Sequence, residues 1–88
     1  MNIPSKYQVF DQPVEVSNKD QQRLRIHLLG WNRLNEILLL GVNEVDLRRL
    51  VVMEVMGARR MTIINRLLGR LAKLERRRIT ERIGKLIV

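Results

Sequence analysis

The segment ARRMTIINRLLGRLAKLERRR, residues 58–78, has the strongest helical periodicity in the chain. At 100° per residue, with Arg66 at zero, its Leu, Ile and Met side chains fill a continuous arc from about 60° to about 220°. Five basic side chains cluster between about −20° and about 40°: Arg59, Arg66, Arg70, Lys73 and Arg77. We expect an amphipathic helix that packs through its apolar arc and presents a basic stripe.

The available core residues also favour helices. Tyr7, Phe10 and Trp31 are the only aromatic residues, so Leu, Ile, Val and Met must form the core, which favours packed helices over a β-sandwich. A chain of 88 residues builds one small domain, with or without an arm, and such domains often gain stability by dimerising. We expect Trp31 to be an anchor of the core or of a dimer interface.

Glycines and caps divide the middle of the chain. Apolar spacing predicts a first helix over residues 20–40, which Gly30 bends or splits into two, with Gly41 at its C-cap. Asn43 is a good N-cap for a second helix, which Gly57 ends. These elements predict an all-α fold.

The two ends are less regular. Residues 1–19 contain Pro4 and Pro13 between short β-prone runs, so they predict an N-terminal arm, followed by a helical domain over residues 20–88. The C-terminal tail over residues 79–88 fits a helix better than a strand, but a β-hairpin wing is the alternative.

The net charge of +8 comes entirely from the last third of the chain. Residues 1–56 hold seven basic and seven acidic side chains, whereas residues 57–88 hold ten basic and two acidic ones. This asymmetry indicates a polyanionic partner. Thirteen of the seventeen basic residues are Arg, whose planar guanidinium suits phosphates and guanine edges.

Two helices joined by a glycine turn, the second one basic, have the layout of a helix-turn-helix. The stretch VMEVMGARRMTIINRLLGRLAKLERRRI resembles the helix-turn-helix signature of prokaryotic regulators, with Gly57 at the turn and Thr62-Ile63 at the opening of the recognition helix. Over residues 43–80 the chain is similar to winged-helix regulators of the MarR type, in which a basic wing would start at Arg76, Arg77 and Arg78. The resemblance implies a helix-turn-helix-like core and a transcriptional regulator that binds DNA.

The family register and the helical wheel disagree at three positions. With Gly57 at the turn, the family pattern buries Arg66 and points Ile64 and Leu68 at DNA. The wheel instead points Arg66 outward and buries Ile64 and Leu68. Burying an unpaired Arg is costly, so we expect the arrangement of the wheel.

Ten residues are candidates for nucleic-acid contacts. Thr62, Asn65 and Arg66, together with Arg59, are placed to read base edges from the first half of the helix. The remaining cations would neutralise phosphates and release their counterions; they are Arg60, Arg70, Lys73, Arg76, Arg77 and Arg78.

We therefore expect a non-enzymatic homodimer that binds double-stranded DNA in the cytoplasm, on the nucleoid. The sequence holds no catalytic constellation, metal-ligand cluster or phosphate loop, so no metal, cofactor or small-molecule ligand is expected. It has no cysteine, and neither a signal-peptide core nor a run long enough to span a membrane is visible.

Two alternatives remain open. An Arg-rich helix also fits structured RNA. In the second alternative, the chain is a small interaction or inhibitor protein that binds an acidic protein partner, with Leu67, Leu71 and Leu74 as contact residues. A membrane-surface helix explains the Leu-rich face less simply than a protein core does.

Overall fold

The structure, a computed structural model, describes residues 9–87 of the chain and the side chains of residues 9–86. Its α-helices are α1 (Asn18–Leu24), α2 (Trp31–Leu40), α3 (Glu44–Met56) and α4 (Met61–Ile87), and a 3-10 turn (Arg25–Leu28) links α1 to α2. No strand occurs within residues 9–87. The all-α prediction is confirmed, and the tail continues α4 as a helix instead of forming a wing.

Ser17 begins α1 through a capping box. Its Oγ accepts a hydrogen bond from the backbone N–H of Asp20 at 3.1 Å, and its own N–H donates to the Asp20 carboxylate at 3.2 Å. The helix therefore starts at Asn18, slightly ahead of the predicted start. At Gly30 the chain becomes extended, so the predicted first helix is divided there, as the glycine suggested.

Gly41 and Asn43 control the passage from α2 to α3. Gly41 ends α2 with a φ of 102°, a region that favours glycine because a side chain there is strained. The Asn43 side chain then accepts a hydrogen bond from the backbone N–H of Asp46 at 2.8 Å and caps α3. Both cap predictions are confirmed.

Residues 57–60 form the turn between α3 and α4. Gly57 ends α3 by donating its N–H to the Met53 carbonyl at 2.9 Å. Arg59 follows with a φ of 56°, which helices do not contain. The amphipathic helix predicted from Ala58 is α4, and it begins at Met61 because the turn occupies residues 58–60.

The core lies between the four helices and consists mainly of leucine. Its buried members are Leu24, Leu34, Leu38, Leu47, Leu50, Val51, Ile63, Leu67 and Leu71. On α4 the covered side ends with half-buried Leu74, and every later side chain through Leu86 is exposed. Leu67 and Leu71 hold the fold together and Leu74 packs against them, so their interpretation as partner contacts was wrong.

One edge of the apolar arc of α4 is uncovered. Ile64 is buried, as expected, and Arg66 is exposed. However, Leu68 is 37% exposed and Met61 is 62% exposed, so their assignment to the buried face was wrong. Both lie at the edge of the arc, from about 200° to about 220°, which the neighbouring helices leave open. Trp31 is also exposed and is not a core anchor.

α3 and α4 run antiparallel and are tied at both ends. Near the turn, Arg60 pairs with Glu54; at the far end, Arg78 pairs with Glu44 at 2.7 Å. Helices of a DNA-reading helix-turn-helix cross at about 90–120° and meet near their turn. The ion pair between Glu44 and Arg78 lies far from the turn, about eighteen residues along α4. The two helices therefore stay side by side over a long distance, which is typical of an αα-hairpin instead.

The described part of the N-terminal segment lies on the helical core. Val16 is fully buried, and Phe10 packs against the core with the Arg48 guanidinium 5.7 Å from its ring centroid. The β-prone character of this segment does not produce a strand within residues 9–17, and residues 1–8 lie outside the described residues. The division at residue 19 stays a prediction.

Candidate nucleic-acid interface

The outer side of α4 carries a row of cations, which we call the basic face: Arg66, Arg70, Lys73, Arg76 and Arg77. The buried side chains of α4, among them Ile63, Leu67 and Leu71, point into the core. The cations of the basic face recur every three or four residues on the opposite side of the helix, so they point away from the core. The face covers about 120° of the helix circumference. α4 is about 40 Å long, and the basic face occupies its middle.

A groove of about 420 Å³ runs between the basic face and the end of α2. Four of the cations, Arg66, Arg70, Lys73 and Arg76, line it together with Gly69, and Leu39 of α2 is on its other side. None of its lining residues is acidic. A concave surface lined only by cations and apolar groups is suited to an anion.

The basic face keeps its charge available. Arg66 donates from Nε to the neutral Asn35 side chain at 3.1 Å, which leaves its charge uncompensated. Within the described residues, Arg70, Lys73, Arg76 and Arg77 form no ion pair. Within the described residues, therefore, no acidic side chain neutralises these four cations.

Arg60 was predicted to contact nucleic acid, but here it holds the fold. Its Nε and Nη2 donate to the two carboxylate oxygens of Glu54 at 3.1 and 2.8 Å, and Nη2 also donates to the Leu28 carbonyl. Glu54 is only 2% exposed. Burial favours a higher pKa for Glu54, but the hydrogen bonds from Arg60 outweigh it and lower the pKa below the usual value.

Arg78 and Arg59 also have partners in the fold. Arg78 donates to Glu44 at 2.7 Å, and Arg48 donates to the same oxygen at 2.7 Å. Arg59 lies in the turn and donates from Nε to the Val55 carbonyl at 3.1 Å. The structure thus separates Arg59, Arg60 and Arg78 from the basic face.

Thr62 and Asn65 lie on the first two turns of α4 and are exposed. Neither side chain forms a hydrogen bond or ion pair with the described residues. Together with Arg66 they are three of the four predicted base readers, and these three point away from the core, whereas the fourth, Arg59, lies in the turn. The three are therefore sterically open to a partner.

A second, apolar feature runs along α4 beside the basic face. We call it the apolar stripe: Met61, Leu68, Ile79, Ile83 and Leu86, all of which are exposed. They fall within about 60° of the helix circumference. At the end of α2, Leu39 and Leu40 are 85% and 83% exposed. The seven-residue and four-residue spacings of these residues are a sequence signal for this stripe, which was not predicted as an exposed surface.

A second groove carries both charges. It lies between residues 10–15 and helices α3 and α4, with a volume of about 850 Å³. Its lining includes Arg48 and Arg49 but also Asp11, Glu15 and Glu75. Mixed charge does not favour a polyanion, so the basic face is the better candidate.

Other kinds of site find little support in the described part of the chain. Within residues 9–87, no group of three or more His, Cys, Asp or Glu side chains could hold a metal ion. Over the same range no helix has the length and apolar character needed to cross a membrane. No protein-family model, curated protein or solved structure is significantly similar to this chain.

Proposed function

We propose that this protein is a non-enzymatic regulator that binds duplex DNA through the basic face of α4, in the cytoplasm on the nucleoid. The observation that carries the proposal is the row of cations from Arg66 to Arg77, four of which have no partner among the described residues. Each cation that neutralises a phosphate releases condensed counterions, which is the main source of affinity for DNA. No acidic side chain in the adjoining groove competes with a phosphate.

The dimensions of α4 suit this use. Arg66 and Arg77 are eleven residues apart, which is about 16 Å along the helix axis. The DNA major groove is about 12 Å wide and accepts an α-helix. Apart from half-buried Arg70, the side chains of the basic face are exposed along this length, and α2 borders the face on one side.

Sequence reading would fall to Thr62, Asn65 and Arg66, which lie in the first half of α4. Asn pairs with adenine and Arg with guanine through two hydrogen bonds each. Arg60 and Arg78 do not contact DNA in this proposal; they hold α4 against α3 through their ion pairs with Glu54 and Glu44. The proposed reader is therefore the first half of a helix that two ion pairs hold against α3, one at Arg60 just before the helix and one at Arg78.

A second copy of the chain is the proposed occupant of the apolar stripe. Leu68 and Ile79 flank the middle of α4 on the side next to the basic face, so pairing through them would set two basic faces beside one another. Dimers of this kind contact two half-sites about one helical turn apart. Ile79→Ser combined with Ile83→Ser should convert a dimer into a monomer by light scattering; a wild-type monomer at working concentration would refute the dimer.

The experiment for DNA binding compares two multiple variants by fluorescence anisotropy. Arg66→Ala, Lys73→Ala and Arg77→Ala together remove three cations of the basic face. Arg82→Ala with Lys85→Ala removes exposed cations from the same helix, about 100° to 160° away from Arg66. We expect the triple variant to bind a random duplex at least tenfold more weakly, roughly what the loss of a few phosphate contacts produces, and the control to change little.

Losses of binding free energy in proportion to the number of cations removed, three against two, would mean that only total charge matters, and would contradict the assigned face. Competition separates the alternatives. A structured RNA hairpin that displaces the duplex at lower concentration than unlabelled DNA would favour RNA binding. Capture of an acidic protein that survives nuclease and moderate salt, with no DNA binding at all, would favour an interaction protein.

A further inference from the structure

Gly69 lies in the interior of α4, where glycine is unfavourable. It is the ninth residue of a 27-residue helix, and glycine weakens a helix interior relative to alanine. A Cβ built on Gly69 would meet nothing within 4 Å. Within the described residues, therefore, neither tight packing nor backbone geometry requires a glycine at this position.

The surroundings of Gly69 suggest what the missing side chain makes room for. Gly69 lines the cationic groove, with Arg66 one turn before it and Lys73 one turn after it. Leu39 is on the far side of the groove. A side chain on Gly69 would project into this space and separate the two cations from anything that lay between them.

Arg70 lines the same groove and has an unused hydrogen-bond donor. Its Nε is buried and has no partner among the described residues. A buried donor without an acceptor is unfavourable, since it has lost water and gained nothing in return. Because Arg70 lines the groove, an anion bound there would lie beside the side chain that carries this donor.

We infer that Gly69 is the floor of a phosphate seat, in which a phosphodiester of the nucleic-acid backbone lies directly against α4 between Arg66 and Lys73. Glycine is the residue that allows a backbone to approach a ligand this closely. The inference rests on the proposed DNA binding and adds a particular contact to it. Arg66, Arg70 and Lys73 all lie within about one helical turn of Gly69, so a single compact anion such as a phosphodiester can contact them together.

Gly84 provides a matched control. It is also in α4, is exposed, and has nothing within 4 Å of a built Cβ, but it does not line the groove. Gly69→Gln and Gly84→Gln both replace glycine by a neutral residue that favours helices. We expect each to raise the melting temperature by a similar amount, whereas only Gly69→Gln should weaken binding.

Binding is measured by anisotropy with a random duplex of about 20 base pairs in about 50 mM salt. We expect Gly69→Gln to lose about tenfold in affinity and to reduce the slope of log K against log salt by about one, as for one lost phosphate contact. Gly84→Gln should stay within about twofold of wild type and keep its slope. If Gly69→Gln melts at a lower temperature than wild type, Gly69→Ala replaces it in the same comparison.

The outcomes separate this inference from the proposed function. A wild-type protein that does not bind the duplex would overturn both. A wild-type protein that binds, with Gly69 and Gly84 variants that bind equally well, would overturn the phosphate seat and leave DNA binding intact. A Gly69 variant that binds the duplex normally but loses affinity for an acidic peptide such as poly-glutamate would assign the groove to acidic proteins, against the inference.

Discussion

Glu54 and Arg60 form an ion pair across the turn that joins α3 to α4. One Glu54 oxygen accepts from both the backbone N–H and Nε of Arg60, at 2.8 and 3.1 Å, and the other oxygen accepts from Nη2 at 2.8 Å. The acceptor is buried, and the donor also reaches the Leu28 carbonyl. The pair joins the last turn of α3 to the residue that directly precedes α4.

Removing Arg60 should therefore damage the fold. Arg60→Ala leaves the buried Glu54 carboxylate without its partner, so we expect unfolding to become easier by roughly 2–3 kcal/mol. Urea denaturation measures this change. Arg77→Ala is the control, since Arg77 is exposed and forms no ion pair within the described residues. If Arg60→Ala is as stable as Arg77→Ala, the pair does not hold the turn.

The neighbouring residues Leu67 and Leu68 test the rotation of α4. Leu67 is fully buried, whereas Leu68 is 37% exposed on the apolar stripe. We expect Leu67→Ala to cost about 3 kcal/mol of unfolding free energy and Leu68→Ala less than about 1 kcal/mol. Chemical denaturation of the two variants at a concentration low enough to prevent self-association gives the answer. Equal losses would mean that the helix is rotated differently about its axis.

Asp46 links α1 to α3 and makes stability depend on acid pH. Arg23 donates to its two oxygens at 2.9 and 3.0 Å, and Arg49 donates at 2.9 Å. The hydrogen bonds from Arg23 are the main reason why the pKa of Asp46 is lowered from 3.8 to about 2. Burial acts in the opposite direction, and the hydrogen bond from Arg49 adds to the lowering. The folded state therefore holds this carboxylate in its charged form more strongly than the unfolded state does.

This shift predicts where stability is lost. Above the unfolded pKa of 3.8 the contribution of Asp46 is fully present, and it disappears as the pH falls from there toward the folded value of about 2. Asp46→Asn should be less stable than wild type at neutral pH and should lose less stability across this acid range. Thermal unfolding followed by circular dichroism at a series of pH values measures both effects. Parallel pH curves for the two proteins would contradict the assignment.

The local signals in the sequence were sufficient for most of the helices. Gly41, Asn43 and Gly57 mark their boundaries because caps and glycine turns depend on neighbouring residues alone. Gly30 indicated the break between α1 and α2 for the same reason. The tail could not be decided, because Ile79 and Ile83 fit a helix while a wing stayed possible.

The features that depend on distant residues could not be predicted. Which edge of the apolar arc is covered depends on where α2 and α3 pack, so Met61 and Leu68 were assigned to the buried face. Arg60 was assigned to nucleic acid because its partner lies across a turn, where helical spacing gives no signal. The basic face itself followed from periodicity, since Arg66, Lys73 and Arg77 recur at helical intervals.

A salt series of duplex binding tests the central claim most directly. If the basic face neutralises phosphates through its five cations, log K should fall with log salt at a slope of about −4.5, which is about −0.9 for each of the five contacts. The triple variant at Arg66, Lys73 and Arg77 should give a slope of about −2. No binding at about 50 mM salt, or a wild-type slope shallower than about −1, would contradict DNA recognition by α4.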